Sequence, residues 1–362
     1  MATETPAVAD PGAGVSTFVD TALQRTAQAL LAENKGLLAI DESITTCNRR
    51  FATLGIPQTE PSRRAYRELI ITTSKLGESI SGAILCDETI RQHTADGMPF
   101  LRVLREAGIE AGIKVDLGTT PLAGHPGEKV TEGLDGLRAR LAEYSGLGAS
   151  FAKWRAVFTI GAHTPSRACM VANAHALARY AALCQEAGLV PVVEPEVLMD
   201  GAHTLARCAQ NTEDVLRVVF RELVEQGVLL EGMLLKPNMV LPGLDYPVQD
   251  PVDAVAEATR TCLRRTVPAA VAGITFLSGG QSGDPATARL AAINTGAGTP
   301  LPWPVGFSFG RAIQQPALTI WDGKDANVVR AQHALQQRVA ANRDARGGTG
   351  TEFGQADAHH EH

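Results

Sequence analysis

The chain has 362 residues, of which 44% are hydrophobic and 20% charged, and a net charge of -6. This composition is ordinary for a globular protein with a large core, and the acidic balance argues against nucleic acid or an anionic membrane as a partner while leaving room for local basic pockets that take phosphate. Six scattered cysteines without a C-x-x-C pair predict reduced thiols and a cytoplasmic setting, the N-terminal segment lacks the pattern of a secretory leader, and no apolar run approaches a membrane span.

Residues 1–15, acidic and rich in Ala and Pro, read as a flexible N-terminus. A helix follows from Ser16 to Glu33, capped by Ser16 or Thr17 and stopped by Gly36. The chain then falls into a rhythm of short apolar strands at Leu37–Ile40, Gly82–Leu85, Gly112–Val115, Phe151–Trp154, Val190–Val193, Gly232–Leu235, Val271–Phe276 and Val305–Phe309. Helical stretches separate them: Thr164–Pro165 opens one that closes at Gly188, and Asn211 or Thr212 opens another that closes at Gly227. Eight alternations require parallel pairing through right-handed crossovers, which predicts one α/β domain over residues 16–341, a single (β/α)8 TIM barrel, rather than two doubly wound domains. No Gly-rich dinucleotide fingerprint follows the first strand. Residues 342–362, rich in Gly, Thr and His, read as a flexible tail.

Polar residues gather where the strands end. Lys236 closes the apolar run Leu229–Leu235 and is followed by Pro237. An ammonium is costly to bury, so it is read either as a strand-end lysine that snorkels or pairs, or as a nucleophile. Lysine is scarce here: seven in all, with Lys114, Lys153 and Lys236 in strand-like segments. The other strand ends carry Asp41–Glu42–Ser43, Asp87–Glu88–Thr89, Lys114–Val115–Asp116, Lys153–Trp154–Arg155, Glu194–Pro195–Glu196, Ser278–Gly279–Gly280–Gln281 and Ser308–Phe309–Gly310–Arg311. In a barrel these ends converge on one face, so the chain predicts one pocket holding several amines and acids. That combination suits carbonyl chemistry through a Schiff base, with carboxylates moving protons. Ser278–Gly279–Gly280 and Gly310–Arg311, after the seventh and eighth strands, have the composition of phosphate cradles. The histidines show no metal-ligand spacing.

The stretches Leu38–Ser43, Gly112–Asp116, Phe151–Arg155, Val193–Glu196, Leu234–Met239, Gly273–Gln281 and Phe309–Ala312 together resemble class I fructose-1,6-bisphosphate aldolase, over about Ser16 to Ala340. The resemblance implies a metal-independent barrel without cofactor, usually a homotetramer, that reversibly cleaves fructose 1,6-bisphosphate to dihydroxyacetone phosphate and glyceraldehyde 3-phosphate in glycolysis and gluconeogenesis. It further implies that Lys236 is the Schiff-base lysine, Glu194 the carboxylate that forms and dehydrates the carbinolamine, and Asp41 the group acting on the C4 hydroxyl. Lys153 resembles the second lysine, which eases proton loss from Lys236 and stabilises developing charge. Ser278, Gly279, Gly280, Ser308, Gly310 and Arg311 would hold the C1 phosphate, Ser43, Arg50 and Lys114 would line the C6-phosphate end, and Arg155 would line the pocket. The family's D-E-S-T-G-S reads here Asp41–Glu42–Ser43–Ile44–Thr45–Thr46, which predicts an altered loop at the C6-phosphate end. Many relatives end in a Tyr that protonates the enamine, whereas this chain ends His359–His360–Glu361–His362, which leaves water, Glu194 or a tail histidine as donor; a donor within the barrel is expected because a Gly-rich tail gives up much entropy to dock. The rivals are another Schiff-base aldolase or a transaldolase, and a non-catalytic sugar-phosphate-binding scaffold. Lys114 with Ser43, added to Ser278 with Arg311, favours two phosphates over the first, and Lys236, Glu194 and Lys153 together argue against the second.

Overall fold

The computed structural model describes residues 13–296 and 298–348, with side chains from residue 21 onward. Its eight barrel strands are β1 (Gly36–Ala39), β2 (Ile80–Leu85), β3 (Glu110–Lys114), β4 (Phe151–Phe158), β5 (Val190–Val197), β6 (Leu234–Leu235), β7 (Gly273–Phe276) and β8 (Val305–Phe309). Each pairs in parallel with its sequence neighbours, and β1 pairs with β8 to close the barrel. All eight coincide with the apolar runs of the sequence. Strand β6 is short because Pro237 has no N–H to give, yet the ladder continues past it: Lys236 N donates to Val193 O at 2.8 Å and Leu277 N to Pro237 O at 3.1 Å.

Alternation along each strand sorts the core into two bodies. Leu38, Leu85, Ile113, Trp154, Val193, Leu235, Ile274 and Phe309 face outward under the ring of helices. Leu37, Ala39, Ile84, Phe151, Val190, Val192 and Leu234 face the barrel axis, where Leu23, Ala27 and Leu30 of the N-terminal helix join them from below. Phe151 fills that interior because Gly112 leaves space for it; a Cβ at Gly112 would stand 2.2 Å from the ring. Burying such a ring contributes about 1.5 to 3 kcal/mol. The bottom of the barrel is therefore packed shut, and only the carboxyl ends of the strands open to solvent.

Several boundaries differ from expectation. The N-terminal helix spans Ala13–Ala29, so Ser16 and Thr17 lie inside it, and the chain turns afterwards through Glu33 and Asn34 at positive φ. The helix expected from Asn211 starts at Leu205, capped by Thr204; Asn211 instead bonds back to Arg207 O, and Thr212 accepts from Asn238. The last helix runs Val328–Arg346, so residues 342–346 belong to the folded body rather than to a tail. Asn342 is fully buried against Thr287, and Arg346 reaches the carbonyls of Leu31 and Lys35. Composition hid this because the polar side chains are spent on interior partners. The expected flexible segments otherwise fall at 1–12 and 349–362, outside the described residues.

Candidate active site

The strand register brings the buried charges together. Arg155 on β4 pairs with Glu194 on β5, and the pairing of Val193 with Leu235, extended one step, sets Glu194 beside Lys236. Same-face neighbours on adjacent strands put their side chains into the same space. Lys236 Nζ lies 3.2 Å from Glu194 Oε1, and Lys153 Nζ lies 3.1 Å from Glu194 Oε2 and 2.7 Å from Asp41 Oδ2. One carboxylate thus bridges two ammonium groups, and a second carboxylate holds the other side of Lys153. Lys153, Glu194 and Lys236 are each 3–4% exposed.

Two amines and two carboxylates balance in charge, which is how so much charge tolerates burial. Burial alone would raise the Asp41 carboxyl, but the nearby Lys153 and Lys236 charges, the Lys153 hydrogen bond and the more distant Lys114 override it and hold it at about 2. Burial would likewise favour loss of the Lys153 proton, and the charges of Asp41, Glu194 and Asp116 hold it instead above the ordinary lysine range. Asp41 is therefore a carboxylate, and Lys153 a fixed positive charge, throughout the neutral range.

Above this set lies a cavity of about 380 Å³, lined by Asp41, Lys153, Glu194 and Lys236 and, around its rim, by Arg155, Ser278, Gly279, Gly280, Ser308, Gly310 and Arg311. Gly279 and Gly280 both adopt positive φ, which presents backbone N–H groups toward one spot. Gly310 caps the helix Arg311–Trp321, whose N-terminus adds partial positive charge there. Ser308 Oγ is buried with no hydrogen-bond partner among the described residues. Arg155 is tied to Glu196 at the mouth. A larger cavity of about 670 Å³ adjoins behind Gly280 and Arg311, but it is lined by residues such as Ala312, Pro316 and Ile320 and includes none of the lysine and carboxylate set.

Three expected residues stand apart from the cavity wall. Ser43 caps the helix Ile44–Ala52, accepting from Thr46 N at 3.2 Å and donating to Thr46 Oγ1 at 3.1 Å. Arg50 turns behind the site to Glu42, Gln314 and Gln315. Lys114 sits beside Lys153 in register but is engaged by Asp116, 2.7 Å away. In their place Glu42, Thr46 and Arg49 line this end of the cavity. The signal for Arg49 was available: Cys47 and Phe51 mark the buried stripe of this helix, and Arg50, three residues from Cys47, falls next to that stripe whereas Arg49 does not. Glu42 and Gln314 had no such marker. Glu42 is locked by Arg50 and by Arg67, 2.8 Å away, and Gln314 joins Tyr66 Oη to the Ala39 carbonyl, bracing the end of β1. Among the described residues no group of His, Cys, Asp and Glu has the arrangement of a metal site.

A barrel that opens at the carboxyl ends of its strands onto a buried lysine, ion-paired through one carboxylate to a second lysine, is equipped for amine-carbonyl condensation and proton transfer. Comparison with known proteins narrows this chemistry. The sequence profile of fructose-bisphosphate aldolase class-I matches residues 22–362. A probable fructose-bisphosphate aldolase class 1 of Xylella fastidiosa is 57% identical over 321 residues, covering 88% of this chain and 96% of the relative. The cytoplasmic isozyme of fructose-bisphosphate aldolase from Cicer arietinum is 53% identical over 316 residues, covering 87% and 88%. The solved fructose-bisphosphate aldolase of Plasmodium falciparum, determined with TRAP and a small-molecule inhibitor, superposes with a TM-score of 0.90 at 45% identity, covering 92% of this chain and 96% of that one. The chain belongs to the class I fructose-bisphosphate aldolase family. It is accordingly a lyase that cleaves fructose 1,6-bisphosphate through a lysine Schiff base and needs no metal.

Proposed function

We propose that Lys236 is the lysine that carries the Schiff base, and that Glu194, Lys153 and Asp41 run the proton transfers around it. The observation that carries this reading is the shared carboxylate: Glu194 lies between Lys236 at 3.2 Å and Lys153 at 3.1 Å. Lys236 passes a proton to Glu194, 3.2 Å away, and the amine so formed adds to the C2 carbonyl of the open-chain sugar, its second proton moving to the new C2 hydroxyl. Glu194 stands within reach of the new C2 hydroxyl and delivers the proton with which it leaves as water. The iminium then draws the C3–C4 electron pair while Asp41, already ionised, accepts the C4 hydroxyl proton; the aldehyde product departs and an enamine remains on Lys236. Protonation at C3 and hydrolysis release dihydroxyacetone phosphate. We assign that proton to a donor within the barrel, Glu194, which lies 3.2 Å from Lys236 Nζ and takes up a proton again from solvent after giving its first to the departing water.

The two ends of the cavity suit the two phosphates. Ser278, Gly279, Gly280, Ser308, Gly310 and Arg311 supply hydroxyls, backbone N–H groups, a helix N-terminus and a guanidinium for the C1 phosphate. At the other end Thr46 and Arg49 are the groups for the C6 phosphate, in place of Ser43, Arg50 and Lys114, and Arg155 lines the same cavity. We also infer a homotetramer, the usual assembly of the family, to be read by light scattering on the eluting protein. A cytoplasmic setting fits the name of the chickpea relative and the absence, among the described residues, of any helix long and apolar enough to cross a membrane.

Borohydride added with dihydroxyacetone phosphate tests the assignment: it should inactivate the enzyme and leave a three-carbon phosphate adduct on Lys236. An adduct on another lysine refutes it.

A further inference from the structure

Thr275 is a buried hydroxyl that the reaction scheme above leaves unused. Its neighbours Ile274 and Phe276 face outward into the layer under the helices, and Gly273 faces the axis, where a Cβ would meet Leu31 at 2.0 Å. By alternation Thr275 points into the barrel. It is 0% exposed, and its Oγ1 has no hydrogen-bond partner among the described residues. Leu234 pairs with Gly273 and Leu235 with Ile274, and the bond from Leu277 N to Pro237 O carries the same register onward. Thr275 is therefore the same-face neighbour of Lys236, about 5 Å away across the sheet, as Glu194 is on the other side.

An unpartnered hydroxyl in such a place costs stability, and valine has the same branching and nearly the same volume without that cost. A hydroxyl kept beside the reactive lysine therefore gains its partner in a state other than the resting one. In the resting site the Lys236 ammonium has three N–H donors and Glu194 as its carboxylate. Once the nitrogen is bonded to C2 it carries a single N–H, and Glu194 is then needed at the departing C2 hydroxyl. We propose that Thr275 Oγ1 is the positioning residue that accepts this N–H in the carbinolamine and the iminium, holding the nitrogen in plane while Glu194 transfers its proton to oxygen. This rests on Lys236 being the Schiff-base lysine.

The test compares Thr275→Val with Thr275→Ser in the full chain, measuring steady-state cleavage of fructose 1,6-bisphosphate, the rate of borohydride trapping with dihydroxyacetone phosphate, and thermal unfolding. Loss of a hydrogen bond to a charged nitrogen should lower kcat and the trapping rate of Thr275→Val together by about 10-fold or more, with KM within about twofold. Its unfolding midpoint should be no lower than that of the parent. Thr275→Ser should stay within about threefold of the parent in both rates, because the hydroxyl remains. Parental kcat and trapping in Thr275→Val overturn the proposal, as does Thr275→Ser slowed as much as Thr275→Val. If Thr275→Val does not fold, Thr275→Ala set against Thr275→Ser makes the same comparison. The site of the adduct separates the two readings: an adduct on Lys236 with unaltered rates in Thr275→Val overturns only the role of Thr275, and an adduct elsewhere overturns both.

Discussion

Replacing Lys153 by Met removes one charge from the middle of a neutral set while keeping the length of the side chain. Its ammonium is 2.7 Å from Asp41 and 3.1 Å from Glu194 and is 4% exposed. Removing one partner of a buried pair costs about 3 to 5 kcal/mol, and because this site opens onto a cavity that water reaches, the lower part of that range applies. A second route gives a similar size: Asp41, held at about 2 against an ordinary 3.8, owes about 2 kcal/mol of folded-state stabilisation to the charges around it. Lys153→Met should therefore unfold in urea at pH 7 with about 2 to 4 kcal/mol less stability, and the Asp41 carboxyl should titrate higher. Cleavage turnover should fall by about 10²-fold to 10⁴-fold if, as proposed, Lys153 supplies the fixed charge that the proton transfers around Lys236 require. Adding Asp41→Asn removes the stranded carboxylate, so the double variant should regain more than about 1 kcal/mol while remaining inactive. Turnover within about 10-fold of the parent in Lys153→Met, or a double variant no more stable than the single one, would refute this role of the Lys153 charge.

Asp41→Asn alone should lower stability by about 2 kcal/mol at pH 7. Because the folded-state carboxyl is depressed, this difference is fully present above the unfolded value near 4 and should vanish as pH falls through about 2, which denaturant titration in steps of pH follows. Arg311→Ala should raise KM for fructose 1,6-bisphosphate by about 10-fold or more through loss of a charge-assisted phosphate contact; an unchanged KM would place that phosphate elsewhere. Removing residues 349–362 should leave cleavage turnover within about threefold and spare solvent-proton exchange at C3 of dihydroxyacetone phosphate, because a lost general acid would cost about 10²-fold. A selective loss of exchange would show that His359, His360 or His362 supplies the proton.

The strands were legible because each is an apolar run ended by a charge or a turn residue, and Lys153, Glu194 and Lys236 stood out as ionisable groups at those ends. Strands β4 and β5 run four residues further than their apolar pattern, to Phe158 and Val197, because Arg155 pairs with Glu196, and Glu194 with Lys153 and Lys236, across the register rather than breaking it. Such pairing is invisible along one strand. The helix ends failed for a related reason: Asn211, Thr212 and Asn342 look like caps or tail in sequence but hydrogen-bond within the folded body. The opening of the long helix shifted by two residues, with Ser166 rather than Thr164 accepting the terminal N–H of Cys169. Arg49 and Arg50 are adjacent in sequence and differ only in helical phase, and a nine-residue helix gives little pattern from which to read it.

The seam between β1 and β8 is formed by Leu37 beside Ser308 and Leu38 beside Phe309, and it joins the two ends of the chain. Asp41 follows one side of it and Arg311 the other, so the carboxylate proposed to act on the C4 hydroxyl and the guanidinium proposed for the C1 phosphate line one cavity only when the barrel closes. A growing polypeptide holds β1 as an open edge through the synthesis of seven further strands, with a row of unpaired N–H and C=O groups exposed to other chains. Fragments lacking β8 are thus inert toward substrate and prone to strand-to-strand association. Pairing across nearly the full sequence is also the most expensive loop to close. In a refolding experiment helix content should return ahead of aldol cleavage, and the regain of activity becomes a clock for the closing of that one seam.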